Sequence, residues 1–215
     1  MQIQKTSSTT FTSLKNPIPT TKILTELGEV TLREALSTDV LEIAKAIRTQ
    51  QSISYKCKYF YGKPKGFEEQ REVYRSMNRN SWLKDIKARV QEIMGKKDGK
   101  SSILVARDEN DKLIGFATME SDKNNNNVGV IEYAHIDYHY HNTSIAPNIL
   151  TKLIDSARGQ FDYVCSQVYR LGFSNIFQRF GFYKAKPEAG EYLELNYSDG
   201  IRDRSADWVI KSLKQ

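Results

Sequence analysis

Apolar and polar positions along the chain change period several times, and each change marks an element. Gly28 to Ala35 alternates, which predicts a first strand. Thr38 or Asp39 then stands where a helix cap belongs, ahead of an apolar stripe at Leu41, Ile43, Ala44 and Ile47. From Phe67 to about Met94 the pattern is helical again, carried by Val73, Met77, Trp82, Ile86, Val90 and Ile93, with a break near Asn78 to Asn80. Ser102–Ala106 and Lys112–Met119 are two strands around the turn Asp108–Asp111, so they predict a hairpin. Val128–Ile136 reads as another strand and Ile145–Ala157 as an amphipathic helix with Ile149, Leu150, Leu153 and Ile154 inward. Phe161–Tyr169 is a strand and Ser174–Phe180 a short helix. Phe182–Ala185 and Tyr192–Tyr197 are closing strands, and Ala206–Leu213 is expected to be a terminal helix. Strand, helix, strand from Val128 to Tyr169 implies a parallel crossover, while the hairpins imply antiparallel pairing elsewhere. The fold class is therefore α/β of the α+β kind, a mixed central sheet of about six to seven strands flanked by helices.

Composition narrows this further. Of 215 residues, 39% are hydrophobic, enough for a buried core. Residues 1–27 begin with a Ser/Thr-rich stretch poor in core residues and read as a mobile arm, residues 28–200 as the folded domain, and residues 201–215 as a helical extension. No apolar run reaches the eighteen or so residues of a membrane helix, and two isolated cysteines fit a reducing, cytoplasmic setting. The net charge of +6 is concentrated between Gln51 and Lys100, where thirteen Lys and Arg face six Asp and Glu. Such a segment suits a solvated helix face or an acidic partner, which includes a phosphate-bearing cofactor or a nucleic acid. His135, His139 and His141 lack a cysteine at metal-ligand spacing, so polar loop histidines are favoured over a metal site and no metal is expected.

Three landmarks in this order resemble the GNAT family of N-acetyltransferases over about Glu29 to Tyr197. They are the strand ending Ile114-Gly-Phe-Ala-Thr, the stretch Ile136 to Leu150, and Asn175-Ile-Phe-Gln-Arg-Phe-Gly-Phe182. The resemblance implies that acetyl-CoA is the co-substrate and that its pyrophosphate rests on the N-terminus of the helix near Ser144, where unpaired N–H groups and the dipole's positive end hold an anion. It places Ala134, Ile136, His141, Asn142, Thr143, Ser144, Ile145, Ala146, Arg170 and Phe177 around the cofactor. His141, Ser144 and Ala146 stand at the family's Arg/Gln-x-x-Gly-x-Gly/Ala positions; Pro147 suits a first helical turn but has no N–H to offer.

Chemistry in this family needs an oriented amine, removal of its proton, and a polarised thioester. Alternation puts Glu132 on one face with Val130, Ala134 and Ile136, a carboxylate on an apolar face with a raised pKa, and it matches a glutamate that many members carry on this strand. A structural ion pair is the other reading of Glu132. Phe177 occupies the position of the family's proton-donating tyrosine and cannot donate, so Tyr169, with Tyr183 or water as alternatives, is the candidate acid. The aromatic-basic connector Tyr55–Lys65 corresponds to the acceptor wall in this family; its rings suit covering the core, packing a substrate or stacking bases, and Tyr59 and Tyr61, together with Tyr133 beside Glu132, are the candidate substrate contacts. The expected function is acetyl transfer from acetyl-CoA to a primary amine of a small molecule, peptide or protein, by a monomer or homodimer. The alternative is a GNAT-fold module that binds acyl-CoA or a macromolecule without turnover.

Overall fold

The computed structural model describes residues 18–49, 80–96, 98–122, 125–169, 174–184 and 206–214. Nine strands make one mixed sheet: β1 (Thr21–Thr25), β2 (Gly28–Glu34), β3 (Ser102–Arg107), β4 (Leu113–Ser121), β5 (Val128–Ile131), β6 (Ala134–Ile136), β7 (Tyr163–Tyr169), β8 (Tyr183–Lys184) and β9 (Ala206–Ser212). Their order is β1-β2-β3-β4-β5-β7-β9-β8, with β6 also on β4. Helical residues 40–49 (α1) follow a single 3₁₀ turn at Ser37–Asp39. The remaining helices are α2 (Asn80–Gly95), α3 (Ile145–Ala157) and α4 (Ser174–Arg179).

Helices cover both faces of the sheet. On one face α3 presents Ile145, Ile149, Leu150, Leu153, Ile154 and Ala157 to Leu104, Ala106, Ala117 and Met119. On the other, α1 and α2 pack Ile43, Ile47, Ile86, Val90 and Ile93 against Ile103, Val105 and Phe116. The expected crossover is present, since β5 pairs in parallel with β7 from Val128↔Tyr163 to Ile131↔Ser166. Expectations for the two outer segments fail. Ala206–Ser212 is a strand, not a helix: its apolar residues, too few to settle a period, hydrogen-bond along the whole length of β7. Thr21–Thr25, assigned to the arm, pairs antiparallel with β2 from Thr21↔Leu32 to Thr25↔Gly28 and so belongs to the sheet. The Tyr55–Lys65 connector, the first turns of the Phe67–Met94 helix and the Tyr192–Tyr197 strand lie outside the described residues.

The expected single strand Val128–Ile136 is broken. Ala117↔Ala134 and Glu120↔Val130 are partners across the β4 ladder, so residues 131–133 stand opposite 118 and 119 alone. One extra residue on one strand is a β-bulge. Thr118 secures it twice: its N–H donates to the Tyr133 carbonyl at 2.8 Å and its hydroxyl accepts from the Tyr133 N–H at 3.0 Å. The bulge inverts the alternation. Ile131, Ala134 and Ile136 face α3, whereas Tyr133 packs with the α1–α2 layer and Glu132 reaches Arg89 on α2.

A buried charge network ties α1 to the sheet. The Asp39 carboxylate caps no helix amide ahead of it; it reaches back to the Leu36 N–H at 2.6 Å and takes the fork of Arg33 at 2.7 and 3.1 Å and the Nε of Arg107 at 3.0 Å. Arg107 also pairs with Glu42 at 2.6 Å. Burial alone would raise the Asp39 pKa, but Arg33, the Leu36 amide and Arg107 outweigh it and hold the carboxyl below its ordinary 3.8. Its contribution to stability is thus full above that value and is lost as pH falls below it, through the lower folded pKa.

Two outcomes follow. Asp39→Asn strips Arg33 of its carboxylate and leaves the buried Arg107 with Glu42 as its remaining close carboxylate, and should cost about 3–5 kcal/mol in urea unfolding; it should also flatten the acid limb of stability against pH. Thr118→Val removes the hydroxyl at nearly constant volume, strands the Tyr133 N–H, and should cost about 1–3 kcal/mol by the same measurement.

Candidate active site

The bulge opens the sheet beside it. β5 pairs with both β4 and β7, but beyond Ile131 the two sides part. β6 pairs with β4 alone, from Gly115↔Ile136 to Ala117↔Ala134, while β7 continues from Gln167 to Tyr169 against β9. Among the described residues no strand pairing joins β6 to β7, so the two strands part as a wedge beyond Ile131. On the other side of β6, Gly115 leaves little room for a side chain: a Cβ there would stand 2.7 Å from Ile136 Cδ1 and 3.2 Å from the His135 carbonyl. The Ile136 side chain, one of the expected cofactor contacts, is pressed against the backbone of β4 through this glycine.

From Ile136 the chain turns through the 3₁₀ segment Tyr138–Tyr140 into α3. The turn is held by its own polar groups. Asp137 accepts from the His139 N–H at 3.1 Å, His141 Nε2 lies 3.0 Å from the Ile136 carbonyl, and the Thr143 hydroxyl donates to the Tyr140 carbonyl at 2.7 Å. His141 therefore braces the loop, and His135, half-buried against Phe116, has its pKa lowered chiefly by burial. Among the described residues no cluster of three His, Cys, Asp or Glu side chains could hold a metal.

At the start of α3, Ser144 is the N-cap residue but its hydroxyl caps no amide. Its carbonyl accepts from the Asn148 N–H at 3.0 Å, and the Thr143 hydroxyl stands 3.4 Å from the Ile145 N–H. The Ser144 and Ala146 amides make no hydrogen bond within the described residues. They are the donors this helix end has to offer an anion, since Pro147 has none. Ile145, placed in the cofactor set by the sequence, is fully buried and serves the core through its side chain. Ala146 packs at the edge of the same core.

Glu132, Tyr133 and a group that the sequence did not flag come together on the α2 side of the bulge. Arg89 Nη2 donates to Glu132 Oε2 at 3.0 Å and also to Glu120 on β4, while Nη1 meets Glu92 at 2.9 Å. Lys96, at the end of α2, meets the other oxygen of Glu120. The Glu132 side chain is 27% exposed and the Glu120 side chain 6%. Burial, then hydrogen bonding with Glu120, raises the Glu132 pKa; Arg89 opposes them without cancelling the shift. The Tyr133 hydroxyl is pushed up by burial and by the neighbouring Glu132 charge. The expected raised carboxyl is present, but its surroundings are not the apolar face that unbroken alternation implied. The signal available in the sequence was Glu120 itself, a lone carboxylate within the apolar run of β4.

Phe177 is 1% exposed and stacks edge-on against Phe182 at 4.9 Å between ring centres. It forms part of the core under α3, so it supplies neither a proton nor an exposed cofactor contact. The backbone of Tyr169 ends β7 at the mouth of the wedge. Arg170, Tyr59 and Tyr61 lie outside the described residues.

Comparison with known proteins agrees with this architecture. An acetyltransferase of the GNAT family from Staphylococcus aureus Mu50 superposes with a TM-score of 0.58 at 14% identity, covering 86% of this chain and 99% of that one. One from Streptococcus pneumoniae gives 0.55 at 16% identity, with 85% and 99% covered. The PaiA N-acetyltransferase of Thermoplasma acidophilum, solved in complex with coenzyme A, gives 0.52 at 16% identity, with 85% and 98% covered. At these identities the likeness shows the fold. No curated protein sequence matches. The sequence model of the Acetyltransferase (GNAT) family, however, matches residues 67–182, more than half of the chain and the whole stretch from α2 through the bulge and α3 to α4, and the chain belongs to that family.

Proposed function

We propose that the protein transfers an acetyl group from acetyl-CoA to a primary amine, with the wedge between β6 and β7 receiving the thioester arm and α3 receiving the pyrophosphate. The observation that supports this best is the conjunction of the bulge, the parted strands and the free amides at the start of α3 in a chain of this family. The Ser144 and Ala146 N–H groups and the helix dipole supply the anion site. His141, Asn142 and Thr143 shape the loop in front of it, and Ala134 and Ile136 line the strand beside the arm.

In the reaction, the Glu132 carboxylate takes a proton from the acceptor's ammonium, directly or through one water. The freed lone pair attacks the thioester carbonyl carbon, a C–N bond forms and the C–S bond breaks. The nitrogen's second proton passes to the departing thiolate through Tyr169 or water, and Glu132 releases the proton it took to solvent. Tyr133, beside Glu132 on the α2 side, bounds the acceptor's approach together with Tyr59 and Tyr61. A thiolate is a tolerable leaving group, so the phenylalanine at position 177 is compatible with turnover.

Ser144→Asp tests the cofactor end without threatening the fold, because Asp is a favoured N-cap. Its carboxylate should repel the pyrophosphate and weaken coenzyme A binding by calorimetry about tenfold or more; unchanged affinity would remove the ligand from this helix end. Glu132→Gln tests the chemistry. It should retain coenzyme A affinity and lower turnover near neutral pH by roughly a hundredfold or more, as measured by thiol release over an amine panel. The residual rate should climb at alkaline pH, where the amine loses its proton unaided.

A further inference from the structure

Glu132 does not stand alone, and the groups around it come from three elements. α2 contributes Arg89 and Glu92, with Lys96 just past its end; β4 contributes Glu120; the bulge contributes Tyr133. On the β7 side, Ser166 is occupied with the Ile131 carbonyl at 3.0 Å. Arg89 spends one nitrogen on both Glu120 and Glu132 and the other on Glu92, so a single guanidinium spans two carboxylates on neighbouring strands. Lys96 fixes the far oxygen of Glu120. Glu120 is thereby held by two cations and Glu132 by one. Counted as full charges, three carboxylates face two cations.

We propose that Arg89 and Glu120 are positioning residues for Glu132, Arg89 fixing where its carboxylate points and Glu120 anchoring that guanidinium while setting a second negative charge beside it. The proposal rests on the reading of Glu132 as the base for acetyl transfer. Arg89 stabilises the Glu132 anion, and Glu120, held on the same guanidinium, destabilises it by like charge. Removing either partner therefore moves the titration of Glu132, and the two removals move it in opposite directions. A merely structural clamp would lose stability in both cases, and the acid limb of kcat/KM would not follow the two shifts. Arg89 itself stays a firm cation, because Glu132 and Glu120 more than offset the cost of its burial. The clamp also bridges α2 to the β-bulge, so motion of that helix bears directly on the carboxylate.

The test uses the full chain with carbon-13-labelled glutamate, the Glu132 side-chain resonance being identified by its loss in Glu132→Gln. Glu120→Gln should lower the Glu132 titration midpoint, and Arg89→Gln should raise it, each by about one pH unit or more. The acid limb of kcat/KM for acetyl transfer should follow both shifts. Arg89→Lys keeps a cation but loses the fork; it should hold the midpoint near that of the wild type while kcat falls. Should Arg89→Gln fail to fold, the Glu120→Gln and Arg89→Lys pair still gives the comparison. Midpoints that stay put, or move in the same direction, would overturn the proposal, as would an acid limb that ignores the titration. A wild-type protein that binds coenzyme A yet acetylates no amine would overturn the transferase reading instead, whatever the carboxylates do.

Discussion

The extra residue between Val130 and Ala134 governs the rest of the site. In an unbroken strand, each peptide on the side facing β7 would continue the parallel ladder that runs from Val128 to Ile131. Inserting one residue bends the strand and increases its local twist, so the next segment stays with β4 and leaves β7. A bulge leaves backbone groups without ladder partners, and buried groups of that kind are costly. Thr118 removes the cost: its amide takes the Tyr133 carbonyl, and its hydroxyl replaces the missing backbone acceptor for the Tyr133 N–H. A valine at this position would have the same shape and the same strand preference without that acceptor. One residue on β4 thus satisfies both backbone groups of Tyr133 in the bulge.

The same insertion determines where the charges go. Because the alternation inverts, Glu132 and Tyr133 both turn toward α2, and the apolar face beneath α3 keeps Ile131, Ala134 and Ile136. An ionised carboxylate on the α3 face would have met a wall of Ile145, Ile149 and Leu153 with nothing to pair with. On the α2 face it meets Arg89. The cluster is held at the margin of the core, where Glu132 keeps partial contact with solvent, and this is the setting in which a carboxyl can be raised in pKa without being neutralised outright.

Much of the fold was legible because local pattern and tertiary role coincide. The apolar positions read on Ile145–Ala157 are the ones that pack on the sheet, and the hairpin around Asp108–Asp111 forms β3 and β4 as its alternation implies. The errors share a cause. Ala206–Ser212 is a strand because β7 offers it an open edge, a fact located some forty residues upstream. Thr21–Thr25 lies behind a polar stretch that masks its pairing with β2. Val130, Glu132, Ala134 and Ile136 satisfy period two perfectly, so a bulge among them cannot be seen from the strand alone; the register that demands it belongs to β4. Of the site, Glu132 and the start of α3 were legible as residue types in order. Arg89, Glu120 and Lys96 were not, since their importance comes from distance across elements separated by up to 43 residues.

The two ends of the site, on the proposed reading, differ in the kind of electrostatics they use, and the difference follows from what each must recognise. A pyrophosphate carries permanent charge, so it is matched by donors that never titrate: the Ser144 and Ala146 amides and the dipole of α3, whose influence falls off within a turn. The loop in front of them gives its polar side chains to itself, His141 to Ile136, Asp137 to His139 and Thr143 to Tyr140, which fixes the helix end in place before any ligand arrives. Proline at 147 fits that design, since it fixes the first turn and gives up an amide the helix does not use. The acceptor amine, by contrast, must change charge during the reaction. A fixed donor array cannot follow that change, whereas a carboxylate suspended between Arg89 and Glu120 can, because its proton affinity is the balance of two opposing neighbours. The bulge joins the two regimes: it opens the path for the thioester on one side of the strand and turns the titrating carboxylate onto the other.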